Sequence, residues 1–535
     1  MKNIQYFINQ TTKMKNIQLT LLALLIVTVT SAQNFNGFAL YNAQGSNTTY
    51  LIDENQQIAH TWNMSTECNY TVQLKENGNI VRGTKGNTSV FSTGNIAAGA
   101  GQVQEIAPDG SIVWSFDYAD NDHVSHHDLT LVGDNVLLTA YEKKSSAELN
   151  AAGFNNASSE MWPTHFVELE ADGNGGATIV WEWHIWDHMC QDTDASKPNY
   201  VANISDNPEL IDINMLSGGS GDWFHVNGVD YNEDLDQIVF SSRFASEIYI
   251  IDHSTTTAAA ATHSGGNSGM GGDILYRWGN PSNYGISGTQ VIVNAVHDAR
   301  WITDDGRPNG GFLQVFNNSG VSNSISTIDG IDAPWDAATN SYLRTAGQAF
   351  TPSSYTTRYE CGYGSASGQS ASDRMSNGNI YINASGGQGG AGVMYEVDSI
   401  GNLVWGPYNA SSPKGFRYEC DYPGIKALET YMNTSNTSCF DATAITENTF
   451  SDAITIYPNP TRDAVTISFE NLTLQNININ IINSLGQQVF ASTFNHHIGT
   501  FNEKVDLASF SEGLYFVKIA NNEGESITQR IAHIK

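Results

Sequence analysis

The sequence predicts an all-β chain: a six-bladed β-propeller followed by a small Ig-like β-sandwich. Three observations carry this. Two short phrases alternate from residue 48 to about 408. Sustained helical periodicity is absent throughout. Residues 452–535 then change to short alternating strands of their own.

The first phrase is a polar turn leading into an apolar strand, as in Leu74–Ile80, Leu131–Leu137, Tyr231–Val239 and Met375–Ile380. Asn-Gly and Asp-Asn at these turns accept the positive φ that tight hairpins require. The second phrase is strand, acidic turn, strand, Trp. It occurs in Leu51–Trp62, Glu105–Trp114, Leu169–Trp181, Ile248–Trp278 and Tyr395–Trp405. Paired, the phrases give four-stranded units with the ~40–50-residue spacing of propeller blades. Gly/Ser/Ala-rich loops such as 255–272 lengthen them in places. About six units fit between residues 36 and 430. The stretch 36–62 lacks partner strands, which 415–430 can supply, closing the ring. An irregular array of β-sandwiches is the competing arrangement.

The expected divisions are a signal peptide over 1–32, a propeller over 33–432, a linker over 433–451 and a terminal domain over 452–535. Lys13 and Lys15 flank Met14, the apolar run Leu19–Thr30 follows, and Thr30-Ser31-Ala32 places cleavage before Gln33. Met-Lys-Asn-Ile-Gln occurs at both 1–5 and 14–18, so Met14 is an alternative start. The apolar run is too short for ~30 Å of hydrocarbon, and no other segment is apolar enough to cross a membrane.

A net charge of -31, from 24 Lys+Arg against 55 Asp+Glu, repels phosphate backbones and acidic membranes and argues against both as partners. The five cysteines, Cys68, Cys190, Cys361, Cys420 and Cys439, allow at most two internal disulfides. Cys361 and Cys420 close matching Arg-Tyr-Glu-Cys strings, which suggests equivalent places in two repeats. There is no C-x-x-C, P-loop, H-E-x-x-H, G-x-S-x-G elbow or EF-hand string, so no metal, nucleotide or other cofactor is expected.

The candidate chemistry lies in histidine motifs: His126-His127-Asp128, Asp187-His188, Asp222-Trp223-Phe224-His225 and Val296-His297-Asp298-Ala299-Arg300. They fall in successive units, so a ring brings them toward one channel mouth. A neutral imidazole can attack an anionic group as nucleophile, while other imidazoles and arginine steady charge on the transferring oxygens. Arg300 follows His297, Arg243 follows the strand after His225, and Arg374 opens a later unit. The catalytic candidates are therefore His225, His297, His127, His126, His188, Arg300, Arg374 and Arg243. For each the plainer alternative is a hydrogen-bonded structural residue. His60, His123, His165, His253 and His263 are not counted among them, and His496 and His497 fall in the terminal domain.

These same strings carry a resemblance. His-His-Asp-Leu at 126–129, Trp-Glu-Trp-His-Ile-Trp-Asp-His at 181–188, Asp-Trp-Phe-His-Val-Asn-Gly-Val-Asp-Tyr at 222–231, Gly-Asp-Ile-Leu-Tyr-Arg-Trp-Gly-Asn-Pro at 272–281 and Val-His-Asp-Ala-Arg at 296–300 resemble the bacterial arylsulfotransferase family. The resemblance covers roughly residues 36–430 and is strongest over 125–320. It implies a six-bladed propeller that moves a sulfuryl group from an aryl sulfate ester to a phenolic acceptor, without a nucleotide donor, through a sulfated histidine. His225 and His297 match two histidines of that family's site. The family's nucleophilic histidine lies in a late blade, where this chain has none between His297 and His496. An arginine expected soon after the second histidine is also absent from Phe316–Ser324.

Ile456-Tyr457-Pro458-Asn459-Pro460, then Ile482–Val489, then Gly513–Ile519 resemble the type A C-terminal sorting domain of the Bacteroidetes type IX secretion system. That resemblance implies the secretion machinery as partner and passage through the periplasm to the cell surface or the medium. The reading is thus an exported arylsulfotransferase-like enzyme. Its alternatives are a non-catalytic surface propeller binding carbohydrate or peptide, and an aryl sulfate hydrolase on the same site.

Overall fold

The computed structural model describes residues 36–534, except 93–95, 158, 217–220, 292–294, 322–324, 388–390, 436, 441–453, 484–486 and 522–525. The leader at 1–32, linker residues 441–451 and part of the Ile482–Val489 motif lie outside the described residues. The chain divides into two compact units, Met1–Phe440 and Asp441–Lys535.

The first unit is a ring of six antiparallel four-stranded sheets. The second blade comprises Cys68–Leu74, Ile80–Lys85, Gly101–Ile106 and Ile112–Asp117, and the third His123–Val132, Asn135–Glu142, Thr164–Ala171 and Ala177–His184. The fourth holds Val226–Asn232, Gln237–Ser242, Glu247–Asp252 and Ile274–Trp278. The fifth holds Val296–Trp301, Leu313–Val321, Ile325–Ile331 and Thr357–Glu360, and the sixth Ala371–Arg374, Ile380–Ala384, Gly392–Val397 and Leu403–Ala410. The first blade is composite. Gly37–Asn42, Thr48–Ile52 and Ile58–Asn63 come from the start of the ring, and Gly415–Glu419 from its end, with Phe38 opposite Tyr418 and Leu40 opposite Phe416. The tail therefore closes the ring as the sequence predicts. The leading strand of each blade packs on its two counterparts, so these six strands line a central channel.

The two phrases map onto blade geometry. The polar turns join the first and second strands, with Gly78 at φ 86° and Gly378 at φ 88°. Asn77 and Asn377 each accept the backbone N–H two residues on, at 3.0 Å. The tryptophans lie on the outermost strands, and most of them pin neighbouring blades. Indole N–H groups of Trp62, Trp181, Trp278 and Trp405 donate to Ala107, Thr255, Pro352 and Glu54 of the next blade, at 3.1, 3.2, 2.8 and 2.8 Å. Trp114 instead donates to Glu105 within its own blade at 2.8 Å. Period-two alternation sends the apolar set of each strand into the clefts between sheets, for example Phe166 and Trp183 against Phe240 and Tyr249.

Cys420 is bonded to Cys439, while Cys68, Cys190 and Cys361 are free and buried. The matching Arg-Tyr-Glu-Cys strings do not hold equivalent places. Arg358–Glu360 lie on the outermost strand of the fifth blade and Arg417–Glu419 on the innermost strand of the first.

The second unit is a five-stranded β domain of Thr455–Tyr457, Ala464–Asn483, Gln488–Asp506, Gly513–Asn521 and Ser526–His533. The two long strands change register near Asn471 and Gln475. Their halves share one core that includes Val465, Ile467, Ile479, Ile481, Phe501, Val517 and Ile531.

Candidate active site

The leading strands are bulged where they meet the channel mouth. Register breaks fall between Ser125 and Leu129, between Val226 and Gly228, and between His297 and Arg300. A bulge leaves residues unpaired and re-aims their side chains. His127 (φ 48°), His225 (φ 56°), Ala295 (φ 79°) and Asp298 (φ 53°) occupy the left-handed region. For residues with a Cβ this costs about 1–3 kcal/mol each, strain that is concentrated at functional sites.

These bulges bring His126, His127, His225 and His297 together with Arg243. The rings of His127 and His225 are 4.6 Å apart. His126 and His127 share a hydrogen bond between Nδ1 atoms at 2.8 Å, and His126 stacks on Tyr141 at 3.6 Å. Tyr70 stands edge-on to His127 at 5.9 Å, and exposed Phe244 lies 4.7 Å from His225. Arg243 donates its backbone N–H to His225 O at 3.0 Å and its guanidinium to Ser367 O at 3.1 Å.

The proton positions follow from the partners. Nδ1 of His225 donates to the Asp222 carboxylate, and Nδ1 of His297 donates to the Ala295 carbonyl at 3.1 Å. In the neutral ring each therefore has its lone pair on Nε2. Burial pushes His126 down to about 3. Burial, with His225 and His126 adding positive charge nearby, holds His127 well below the ordinary histidine range. Burial together with Arg243 does the same to His297. Burial thus holds His126, His127 and His297 uncharged at neutral pH beside a guanidinium.

Below the imidazoles, the channel is crossed by one network to which every blade contributes. Lys414 Nζ, in the segment entering the closing strand, reaches Asp128 at 2.6 Å and Asp298 at 3.2 Å. Asp128 also accepts from Thr71 Oγ1 at 2.5 Å and Val229 N at 3.0 Å, and Asp298 from Ser372 N at 2.9 Å. The two carboxylates follow His127 and His297 directly in the chain, so the network fixes the backbone that aims both rings.

Three candidates lie elsewhere. Arg300 is at the opposite mouth, paired with Asp298 (3.3 Å) and Asp373 (3.9 Å) and stacked 4.3 Å from Phe416. Arg374 ends the leading strand of the sixth blade, where its carbonyl accepts from Arg307 at 2.5 Å. Both sit too far along their strands, since three residues advance about 10 Å. His188 follows the outermost strand of the third blade, fully buried and stacked on Trp183 at 5.5 Å. The opposite mouth opens a cavity of about 590 Å³ lined by Asp230, Arg300, Arg307, Asp373, Phe416 and Arg417 among others. Its lining holds no histidine, so the clustered imidazoles are all at the other end. Sequence reasoning missed Asp222, Tyr70, Tyr141, Asp128, Asp298 and Lys414. The recurring His-Asp pairs at 127–128 and 297–298 were the available signal for two of them.

The strand pairing defines a six-bladed propeller with an imidazole-lined mouth. The chain belongs to the arylsulfotransferase (ASST) family, whose pattern matches residues 9–324. Residues 455–534 match the secretion system C-terminal sorting domain, which directs type IX secretion to the cell surface or outside. Among the described residues no helix is long and apolar enough to cross a membrane. A curated relative, an endo-acting ulvan lyase of Formosa agariphila, is 26% identical over 166 residues, 27% of this chain and 31% of that protein. The chain thus spans about a third of that relative's length. Among solved structures, the periplasmic gluconolactonase of Pseudomonas aeruginosa is 9% identical, covering 88% of this chain and 99% of its own at a TM-score of 0.33. The β-propeller domain of a Myceliophteria thermophila protein is 9% identical, covering 72% and 89% at a TM-score of 0.33. The six-blade architecture rests on the strand pairing itself.

Proposed function

We propose that this exported protein transfers a sulfuryl group from an aryl sulfate ester to a phenolic acceptor at the histidine mouth, with no nucleotide donor. The observation that carries the reading is His225, oriented by Asp222, beside neutral His127 and His297 and next to Arg243. A nucleophile held by one partner with a base at hand is the usual arrangement for covalent group transfer. His225 Nε2 attacks sulfur, an N–S bond forms, and the S–O(aryl) bond breaks with its electron pair leaving on the phenolate oxygen. In the second half the acceptor oxygen attacks sulfur, its proton passes to Nε2 of His297, and the N–S electron pair returns to His225. Arg243 lies against the sulfuryl oxygens, whose charge is concentrated in each transition state. Phe244 offers an aryl face beside His225.

The sixth blade enters its leading strand through Gln369 and Ser370, which carry φ values of 55° and 93° in the manner of the histidine positions. The Gln369 amide donates to Tyr70 OH at 2.6 Å and accepts from Ser385 at 2.6 Å. An amide carries no sulfuryl group, which moves the nucleophilic role to His225. Incubation of the purified protein with a chromogenic aryl sulfate and a phenol, followed by mass spectrometry of the trapped enzyme, tests this. A sulfuryl adduct on the Asp222–Val226 peptide is expected. Phenol release that is the same in wild type and His225→Ala would sink the reading. Dependence of the rate on the phenol separates transfer from hydrolysis.

A further inference from the structure

His188 was drawn into the site by its motif, yet it lies in a different cluster with its own chemistry. Its Nδ1 is 2.8 Å from Asp273 Oδ1 and its Nε2 is 2.8 Å from the Ala260 carbonyl oxygen. His263 Nδ1 stands 2.7 Å from the same Asp273 oxygen. A carbonyl and a carboxylate are both acceptors, so a neutral His188, with one ring N–H, can donate to only one of them at this fully buried position. A metal ion resolves the mismatch. Nε2–H of His188 donates to Ala260 O, which is the usual outer contact of a metal-bound histidine, and Nδ1 is left as a ligand.

The geometry fits such an ion. The three ligand atoms lie within 4.8 Å of one another. Ligands about 2.1 Å from one tetrahedral ion are separated by roughly 3.4 Å, so the Asp273 oxygen, 2.8 and 2.7 Å from the two imidazoles, moves out by several tenths of an ångström on binding. Two imidazoles and a carboxylate suit a divalent transition ion of the zinc type. The surroundings are built to hold the ligands. Trp183 stacks on His188 and donates to Gly272 O at 2.7 Å. A Cβ at Gly272 would meet Ala260 O at 2.0 Å and His188 Nε2 at 2.6 Å, so glycine is required for the loop to lie against the ring. Glu209 brings a further carboxyl into the electrostatic reach of Asp273 and His263. His263 also lines a neighbouring cavity of about 590 Å³ with Trp186, Tyr200 and Leu210, which leaves a side open to water or a ligand.

We propose that His188, His263 and Asp273 bind a divalent transition-metal ion, with zinc as the ion tested first. The ion ties the segment after the third blade to the long insertion of the fourth. It is separate from the proposed sulfuryl-transfer site, and its test does not depend on activity. No motif announces it, because the ligands are spread over 188, 263 and 273 and meet only when the insertion folds back.

The experiment uses the full chain, stripped with a chelator and titrated with zinc chloride by calorimetry, with metal content measured after desalting. About one equivalent per chain is expected, with a rise in Tm on loading. Cobalt loading is expected to give the visible bands of an imidazole–carboxylate site. His263→Ala, a change at an exposed side chain that leaves the buried packing in place, is expected to lose the ion, the Tm rise and the cobalt bands, as is Asp273→Asn. His123→Ala, remote from the cluster, is expected to keep all three. Absence of uptake by wild type, or equal uptake by His263→Ala, overturns the site and leaves His188 as a buried residue hydrogen-bonded to Asp273.

Discussion

The two mouths of the channel are lined by the same six strands, yet they collect opposite chemistry. Where the strands begin, bulges and left-handed residues turn uncharged imidazoles toward the opening. Where the strands end, the backbone is regular and the side chains are paired ions, with Arg300 between Asp298 and Asp373 and Asp230 pushed up to about 6 by burial against the pull of Arg300. A cavity of about 590 Å³ opens at the second mouth, but the imidazole lone pairs proposed to form a bond to sulfur belong to the first. Strain and neutrality, rather than volume, single out the end proposed to react.

The sharpest way to break this contrast is to remove what separates the two ends. Lys414→Met leaves Asp128 and Asp298 buried without their cation and is expected to cost about 3–5 kcal/mol of stability, read by denaturant unfolding. Lys414→Arg is expected to recover part of that loss. Next in size, His225→Ala is expected to lower kcat/KM for aryl sulfate transfer about a thousandfold with an unchanged circular dichroism spectrum. Arg243→Ala is expected to lower it about a hundredfold, mainly in kcat, because its charge acts in the transition state.

The imidazoles also give the histidine mouth a pH signature. His126, His127 and His297 have folded values below their unfolded ones, so the unfolded chain takes up their protons first. Their stabilising contribution is present above about pH 6.5 and is lost progressively on acidification, up to about 1.4 kcal/mol per pH unit for each group. His253 runs the other way. Burial alone would lower it, but Asp236 and Glu168 raise it to about 9. Its contribution is present below about pH 6.5 and fades as the pH rises toward 9. Unfolding curves across this range are expected to show both limbs, and His253→Gln is expected to flatten only the alkaline one. The smallest effect is expected from Arg300→Gln, which should lower Tm while leaving kcat/KM within about threefold. A large loss of turnover there would move the chemistry to the other mouth.

The blades were legible because each carries its own punctuation, an Asn-Gly or Asp-Asn turn between the first strands and a tryptophan at the outer edge. The site was legible in part. His126, His127, His225, His297 and Arg243 were named from motifs recurring in successive units, and the structure gathers them at one mouth because the strand starts are bulged there. Arg300 and Arg374 were grouped with them by nearness in sequence, which in a strand means distance along the channel. His188 was misplaced because its motif follows the outermost strand, a position that periodicity cannot tell from an inner one. Lys414 carries no local mark at all. Its meaning comes from the ring closing 286 residues away from Asp128.

That closing strand sets an order of events. A nascent or threading chain can form the later blades in sequence, but Gly415–Glu419 must return to the first blade before the circle exists. Until Lys414 arrives, Asp128 and Asp298 repel each other beneath the histidines they aim. Under the proposed function, competence for reaction therefore comes last, as a property of the finished circle. A fragment that stops short of residue 414 holds the four imidazoles in its sequence but lacks the cation that joins Asp128 to Asp298.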